Sequence, residues 1–194
     1  MAARKPFTAA LLALLAGLTM STRATADAML IDDFTGDDGR SELGTPWRLF
    51  TDGVMGGVST GRMTRAEVGG RSALCLEGDV RLENNGGFVQ LSLDLAPAGT
   101  LDASGYTGVR LVVSGNGEPY GLHLKTADVR RPWQSYRAGF TATAAWREVR
   151  LPFAEFAPYR LDAPLDTARL TRLGLVAIGR AFAAELCVAE IGLY

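Results

Sequence analysis

Histidine occurs once in this chain of 194 residues, at His123. A lone histidine cannot build a multi-histidine zinc site. In the run YGLHLKT it alternates away from Tyr120, Leu122 and Leu124. The residues sharing its face, Gly121 and Lys125, offer no carboxylate to orient it as a base. A structural or solvent-facing histidine is therefore expected. Motifs that cradle phosphate or present a nucleophile are missing too: no GxGxxG opens a helix and no GxSxG follows a strand. Asp32, Asp33, Asp37 and Asp38 crowd one segment without the DxDxDG spacing or distal glutamate of a calcium loop. They read as solvated acidic loop. Catalytic residues, metal ligands and cofactors are not expected.

Lysine is nearly as scarce, with Lys125 the only one after Lys5, and no basic run exceeds Arg130-Arg131. Neither nucleic acid nor an anionic membrane surface is an expected partner. The chain has one long apolar run, Phe7–Met20, which is short for a comfortable bilayer span. Arg4 and Lys5 precede it and Ala24-Thr25-Ala26 follows, the layout of a signal peptide cleaved after Ala26. We expect residues 1–26 to be removed and residues 27–194 to form one exported domain, most simply periplasmic, without stable membrane insertion. Taking Arg4, Lys5 and Arg23 from the 20 basic residues leaves 17 against 21 acidic.

Helical periodicity is nearly absent. Pro152–Phe156 and Asp166–Leu170 could each make one turn. Strand patterns fill the rest: in Phe88–Leu95, Val89, Leu91, Leu93 and Leu95 alternate with Phe88, Gln90, Ser92 and Asp94, as a strand with one buried face requires. About ten short strands divided by Gly, Pro and Asn turns predict an all-β sandwich or jelly roll. Gly115-Asn116-Gly117 reads as a hairpin turn.

Two glycine-rich stretches stand out, WRLFTDGVMGGVSTG from Trp47 to Gly61 and ENNGGF from Glu83 to Phe88. They are either two tight turns or two loops that converge into a recognition surface. On the second reading the candidate contact residues are Trp47, Asp52, Met55, Gly56, Gly57, Ser59, Asn84, Asn85, Gly86, Gly87 and Phe88. Met55 is expected as a plug beneath the loop or, less favoured, an adaptable exposed contact. Asn84 or Asn85 should cap backbone donors of the neighbouring loop, and removing Asp52 should spare the fold. Most aromatic residues belong to the core. Trp133 is the exception, because it follows Pro132 in the polar loop DVRRPWQSY, and it joins the candidate binding set.

Cys75 and Cys187 lie in strand-like runs, SALCLEG and ELCVAEI. In an oxidising compartment an even pair is a disulfide candidate. Free cysteine is also a common small core residue, so only geometry decides.

DGVMGGVS (Asp52–Ser59), ENNGGF, SYRAGF (Ser135–Phe140) and WREVRLPFAEF (Trp146–Phe156) occur in this order. Together they resemble the complex I intermediate-associated protein family, the thirty-kilodalton-type domain of NADH:ubiquinone oxidoreductase assembly factors. The resemblance runs from about Ile31 to Tyr194. It implies a galactose-binding-like β-sandwich and a non-catalytic assembly or chaperone-like role exercised by protein–protein contact, with a membrane-complex subunit as a candidate partner. An exported carbohydrate-binding module is the alternative, resting on the sandwich, the leader and Trp133. A hydrolase would need Asp52 and Glu83 to pair across converging loops at a separation suited to glycosidic cleavage.

Overall fold

The computed structural model describes residues 28–194 together with Met1. The expected leader and its cleavage site lie outside the described residues. Twelve strands form two six-stranded antiparallel sheets, a galactose-binding-like sandwich. In chain order they are β1 (Met29–Asp32), β2 (Trp47–Thr51), β3 (Thr60–Val68), β4 (Arg71–Val80), β5 (Phe88–Asp94) and β6 (Gly108–Gly115). The second half supplies β7 (Pro119–Thr126), β8 (Ser135–Thr141), β9 (Arg147–Pro152), β10 (Ala157–Tyr159), β11 (Leu170–Ile178) and β12 (Phe182–Leu193). The first sheet runs β3-β4-β12-β6-β9, with β1 added alongside β12; the second runs β10-β8-β7-β11-β5-β2.

The core lies between the sheets. Val89, Leu91, Leu93 and Leu95 are all buried, as their alternation predicts, and meet Leu74, Leu76, Leu111 and Ile191 in one cluster with Tyr136. Burying a leucine-sized side chain is worth about 1.5–3 kcal/mol, so this layer adds substantially to what holds the sheets together. The Tyr136 hydroxyl, carried into the core by its ring, donates to the Pro164 carbonyl at 3.0 Å. Short 3-10 turns at Phe153–Glu155 and Thr167–Arg169 fall inside the two segments expected to be helical.

One turn differs from expectation. Gly115-Asn116-Gly117 does not close a hairpin, because β6 belongs to the first sheet and β7 to the second. Its backbone is held by other segments: Asn116 N donates to the Glu185 carbonyl, and Gly117 N to that of Ala142. The true two-residue hairpin is Gly69-Gly70 between β3 and β4, where both residues have positive φ (56° and 75°) and Val68 faces Arg71.

Strands β2 and β3 are legs of one long excursion, and β4 and β5 the legs of its return. β3 pairs with β4 in the first sheet, and β2 with β5 in the second. Both legs cross between sheets at the same place, at Asp52–Ser59 and at Arg81–Gly87. The two glycine-rich stretches are these adjacent crossovers.

On the outer face of the first sheet, Cys75 of β4 stands opposite Cys187 of β12, their Cα atoms 4.0 Å apart, joined in a disulfide. Ala73, Ala189, Val68, Val112 and Trp146 pack around it as a small second cluster.

Candidate functional site

Asp52 clamps the two crossovers. Its side chain is fully buried, 0% exposed. The carboxylate accepts from Ser59 N at 2.9 Å, Ser59 Oγ, Gly87 N at 2.5 Å and Phe88 N at 3.4 Å. Burial pushes the carboxyl up, but the hydrogen bonds from Ser59, Gly87 and Phe88 outweigh it and hold Asp52 below the usual carboxylate range. A β-carbon at Gly57 or Gly86 would fall inside the van der Waals shell of this carboxylate. Those glycines are there to let two backbones close on one charge. Ser59 Oγ in turn accepts from Arg81 N at 2.9 Å, and Asn84 Nδ2 donates to the Gly56 carbonyl at 3.1 Å.

The loops therefore converge as expected, but several of their residues do different work. Asp52 and Ser59 are buried structural links, not contact residues. Asn84 offers a donor to a carbonyl, not a cap to a donor. Trp47 is 5% exposed, packs against Phe34 and donates from Nε1 to Asp32 Oδ2 at 2.8 Å, so it belongs to the core and not to a binding face. Met55 is 61% exposed instead of plugging the loop, because the buried Asp52 already fills that space. Glu83 pairs with Arg81 on the surface, so no Asp52–Glu83 carboxylate pair forms.

What the clamp does is hold Val54 and Met55 up as one shoulder of a groove. This groove, of about 540 Å³, runs over the outer face of the second sheet. Its floor is the outward set of four strands in register. Lys125 of β7 stands beside Arg172 of β11; His123 stands between Arg137 of β8 and Gly174 of β11; Gly121 faces Val176. Gly121 and Gly174 leave room for their neighbours to lie flat. A β-carbon at Gly174 would stand 2.6 Å from Gln90 Nε2, and one at Gly121 2.9 Å from His123 Nε2. Met55, Asn85, Gly86, Gly87, Phe88 and Trp133 line the groove, while Trp47, Asp52, Gly56, Gly57, Ser59 and Asn84 do not.

Trp133 forms the opposite shoulder. Gln134 pins its loop: Oε1 accepts from Arg130 N and Arg131 N, each at 3.0 Å, and Nε2 donates to the Arg160 carbonyl at 2.8 Å. Lys125 Nζ donates to the Pro132 carbonyl at 2.6 Å. The indole is thus held outward, 56% exposed, beside Tyr159 of β10.

The floor is cationic. Burial, then Arg137 and Lys125, push His123 down to about 3, so its imidazole is neutral at ordinary pH. Flanked by two cations and unable to hold a proton near neutrality, it is unsuited to serve as a general base. Lys125, Arg137, Arg172 and Tyr159 were not singled out from the sequence as site residues. Their only signal is that Lys125 shares the outward face with His123.

The fold is shared with carbohydrate-binding modules. A family 11 module from Clostridium thermocellum, in complex with a β-1,3-1,4-mixed-linked tetrasaccharide, superposes with a TM-score of 0.66 at 14% identity, covering 86% of this chain and 94% of that one. A family 30 module of a Clostridium thermocellum cellulosomal cellulase gives 0.53 at 17% identity, over 70% of this chain and 82% of that one. An exo-β-agarase gives 0.55 at 10% identity, over 86% of this chain but 25% of the agarase. No match was found among curated proteins. The profile of the complex I intermediate-associated protein 30 family matches residues 33–188, a span that includes both crossovers, the Trp133 loop and most of the strands, and the chain belongs to that family.

Proposed function

We propose that this protein is a non-catalytic binding module of assembly or chaperone type, which engages a partner protein through the groove on its second sheet. The observation that carries this reading is where the exposed apolar side chains lie. Among the described residues, eight large apolar side chains besides Met1 are exposed, and five of them, Val54, Met55, Trp133, Tyr159 and Ile178, line this one groove. Apolar side chains gathered at one place on a surface mark a docking site. Tryptophan and tyrosine are the anchors that interfaces favour, and an exposed methionine adapts to what it meets. The family is named for association with complex I intermediates, which makes a membrane-complex subunit the first partner to seek. With the leader at residues 1–26, that encounter takes place on the periplasmic side.

Site-specific photocrosslinking in intact cells tests this. A crosslinking residue at position 133 or 55 should give a discrete protein adduct. The same residue at position 71, on the first sheet, should not. Adducts of equal yield from position 71, or none from the groove, would defeat the proposal.

Trp133 supports a second reading. An outward indole on the rim of a sheet-face groove suits stacking against a pyranose ring, and the fold neighbours are carbohydrate-binding modules. Retarded migration in a gel containing mixed-linked β-glucan, abolished by Trp133→Ala, would replace the first reading with this one.

A further inference from the structure

The groove is built around three cations, two of which have no carboxylate to neutralise them among the described residues. Lys125, Arg137 and Arg172 line it, and among the described residues no carboxylate does. Arg172 is paired, its Nε donating to Asp94 Oδ1 at 2.7 Å. The other two have no carboxylate partner among the described residues. Arg137 lies flat against the Tyr159 ring, Cζ 3.5 Å from its centroid, with Nε donating to Ser135 Oγ at 3.0 Å. These contacts fix the plane of the guanidinium and leave its terminal nitrogens as a fork for a planar anion. Lys125 is held by the Pro132 carbonyl. Both are part-buried, so the field of each is poorly screened by solvent. In a chain whose acidic residues outnumber its basic ones, three cations on one concave floor are a local reversal of sign.

We propose that the segment received by the groove is an acidic, amphipathic stretch of polypeptide. Its carboxylates dock on Arg137 and Lys125, and its apolar side chains on Val54, Met55 and Ile178. The proposal rests on the reading of the groove as a protein-docking site and adds the chemistry of what enters. Charge complementarity selects the acid. The aliphatic shoulder opposite Trp133 selects a polypeptide over an acidic polysaccharide, which has no side chains to bury there.

The test uses the leaderless protein, Asp27–Tyr194, and tryptophan fluorescence, with four probes. These are a short peptide alternating glutamate with leucine and phenylalanine, its glutamine counterpart, polygalacturonate, and a mixed-linked β-glucan tetrasaccharide. The acidic peptide should bind and weaken as salt rises. The glutamine peptide should bind at least about tenfold less tightly, a difference of about 1.4 kcal/mol. Arg137→Gln and Lys125→Gln should each bring the acidic peptide toward the glutamine peptide's affinity, with thermal melts confirming the fold. If both peptides bind alike, and Met55→Ser weakens both, the groove docks protein but the acidic preference is wrong. Binding of polygalacturonate in place of peptide overturns the polypeptide class. Binding of the neutral tetrasaccharide alone, or of no probe at all, overturns the acidic segment, and crosslinking at position 133 then decides separately whether the groove docks protein.

Discussion

Asp52 ties together the two glycine-rich crossovers of this fold. Read from the sequence it is a loop carboxylate in a glycine-rich turn. In the structure it answers three backbone N–H groups and a hydroxyl from both crossovers. Asp52→Ala leaves those donors buried and unmatched, so a loss of about 3 kcal/mol is expected in denaturant melts. Gly57→Val should also destabilise, by about 2 kcal/mol, since its side chain would collide with the carboxylate. The two effects are coupled. In an Asp52→Ala background the valine should cost less, and a double-mutant cycle showing simple additivity would contradict the clamp. His123 contributes to the acid side of the stability curve. Its folded value of about 3 lies below the ordinary 6.5, so the unfolded chain binds a proton that the folded chain refuses. This histidine therefore costs no stability above about pH 6.5 and lowers it as pH drops toward 3, by up to about 1.4 kcal/mol per pH unit. Asp52, whose folded carboxyl is depressed, loses its contribution only lower, as pH falls from the usual carboxylate range through its lowered value. Melts between pH 6.5 and pH 5 probe the histidine, and His123→Gln should flatten that part of the curve relative to the parent protein.

Among the elements, the strands were legible because most bury one face: the alternation in β5 and β7 shows in the sequence and in the burial alike. β10 was not, since its three residues are all exposed and carry no alternation. Which strands share a sheet was not legible either. Gly115-Asn116-Gly117 has the chemistry of a hairpin, yet the chain uses it to change sheets, a choice made by the neighbours of β6 and β7 and not by the turn. The groove stayed hidden for the same reason. Its floor gathers Gln90, Lys125, Arg137 and Arg172 from four strands whose order is β8-β7-β11-β5, and no local pattern announces that order. Trp47 misled because an indole beside a glycine-rich loop looks like a contact, until Asp32 accepts its N–H. The cysteines needed register, and β4 against β12 supplies it. The bridge spans 112 residues, for which chain entropy predicts about 4–5 kcal/mol. Reduction should lower stability on that order in denaturant melts. It should leave peptide binding by the still-folded protein unchanged, because the bridge lies on the sheet facing away from the groove.

For the whole molecule, the division of labour is between two faces. The first sheet carries the disulfide on its outer side, and the second carries the groove. Export remains a proposal at this scale: N-terminal sequencing of the secreted form should begin at Asp27, and an intact Met1 in the cytoplasmic fraction would refute it. The position of the first and last strands has a consequence of another kind. Met29 of β1 faces Leu193 of β12, so the ends of the folded part meet within the first sheet, remote from the binding face. A short glycine-serine linker from Tyr194 to Met29 should close the chain into a ring without disturbing either sheet. The exposed bend at Gly99, where an added side chain meets no other atom within 4 Å, then offers a place to cut new ends. Such a circular permutant should fold and present the same groove.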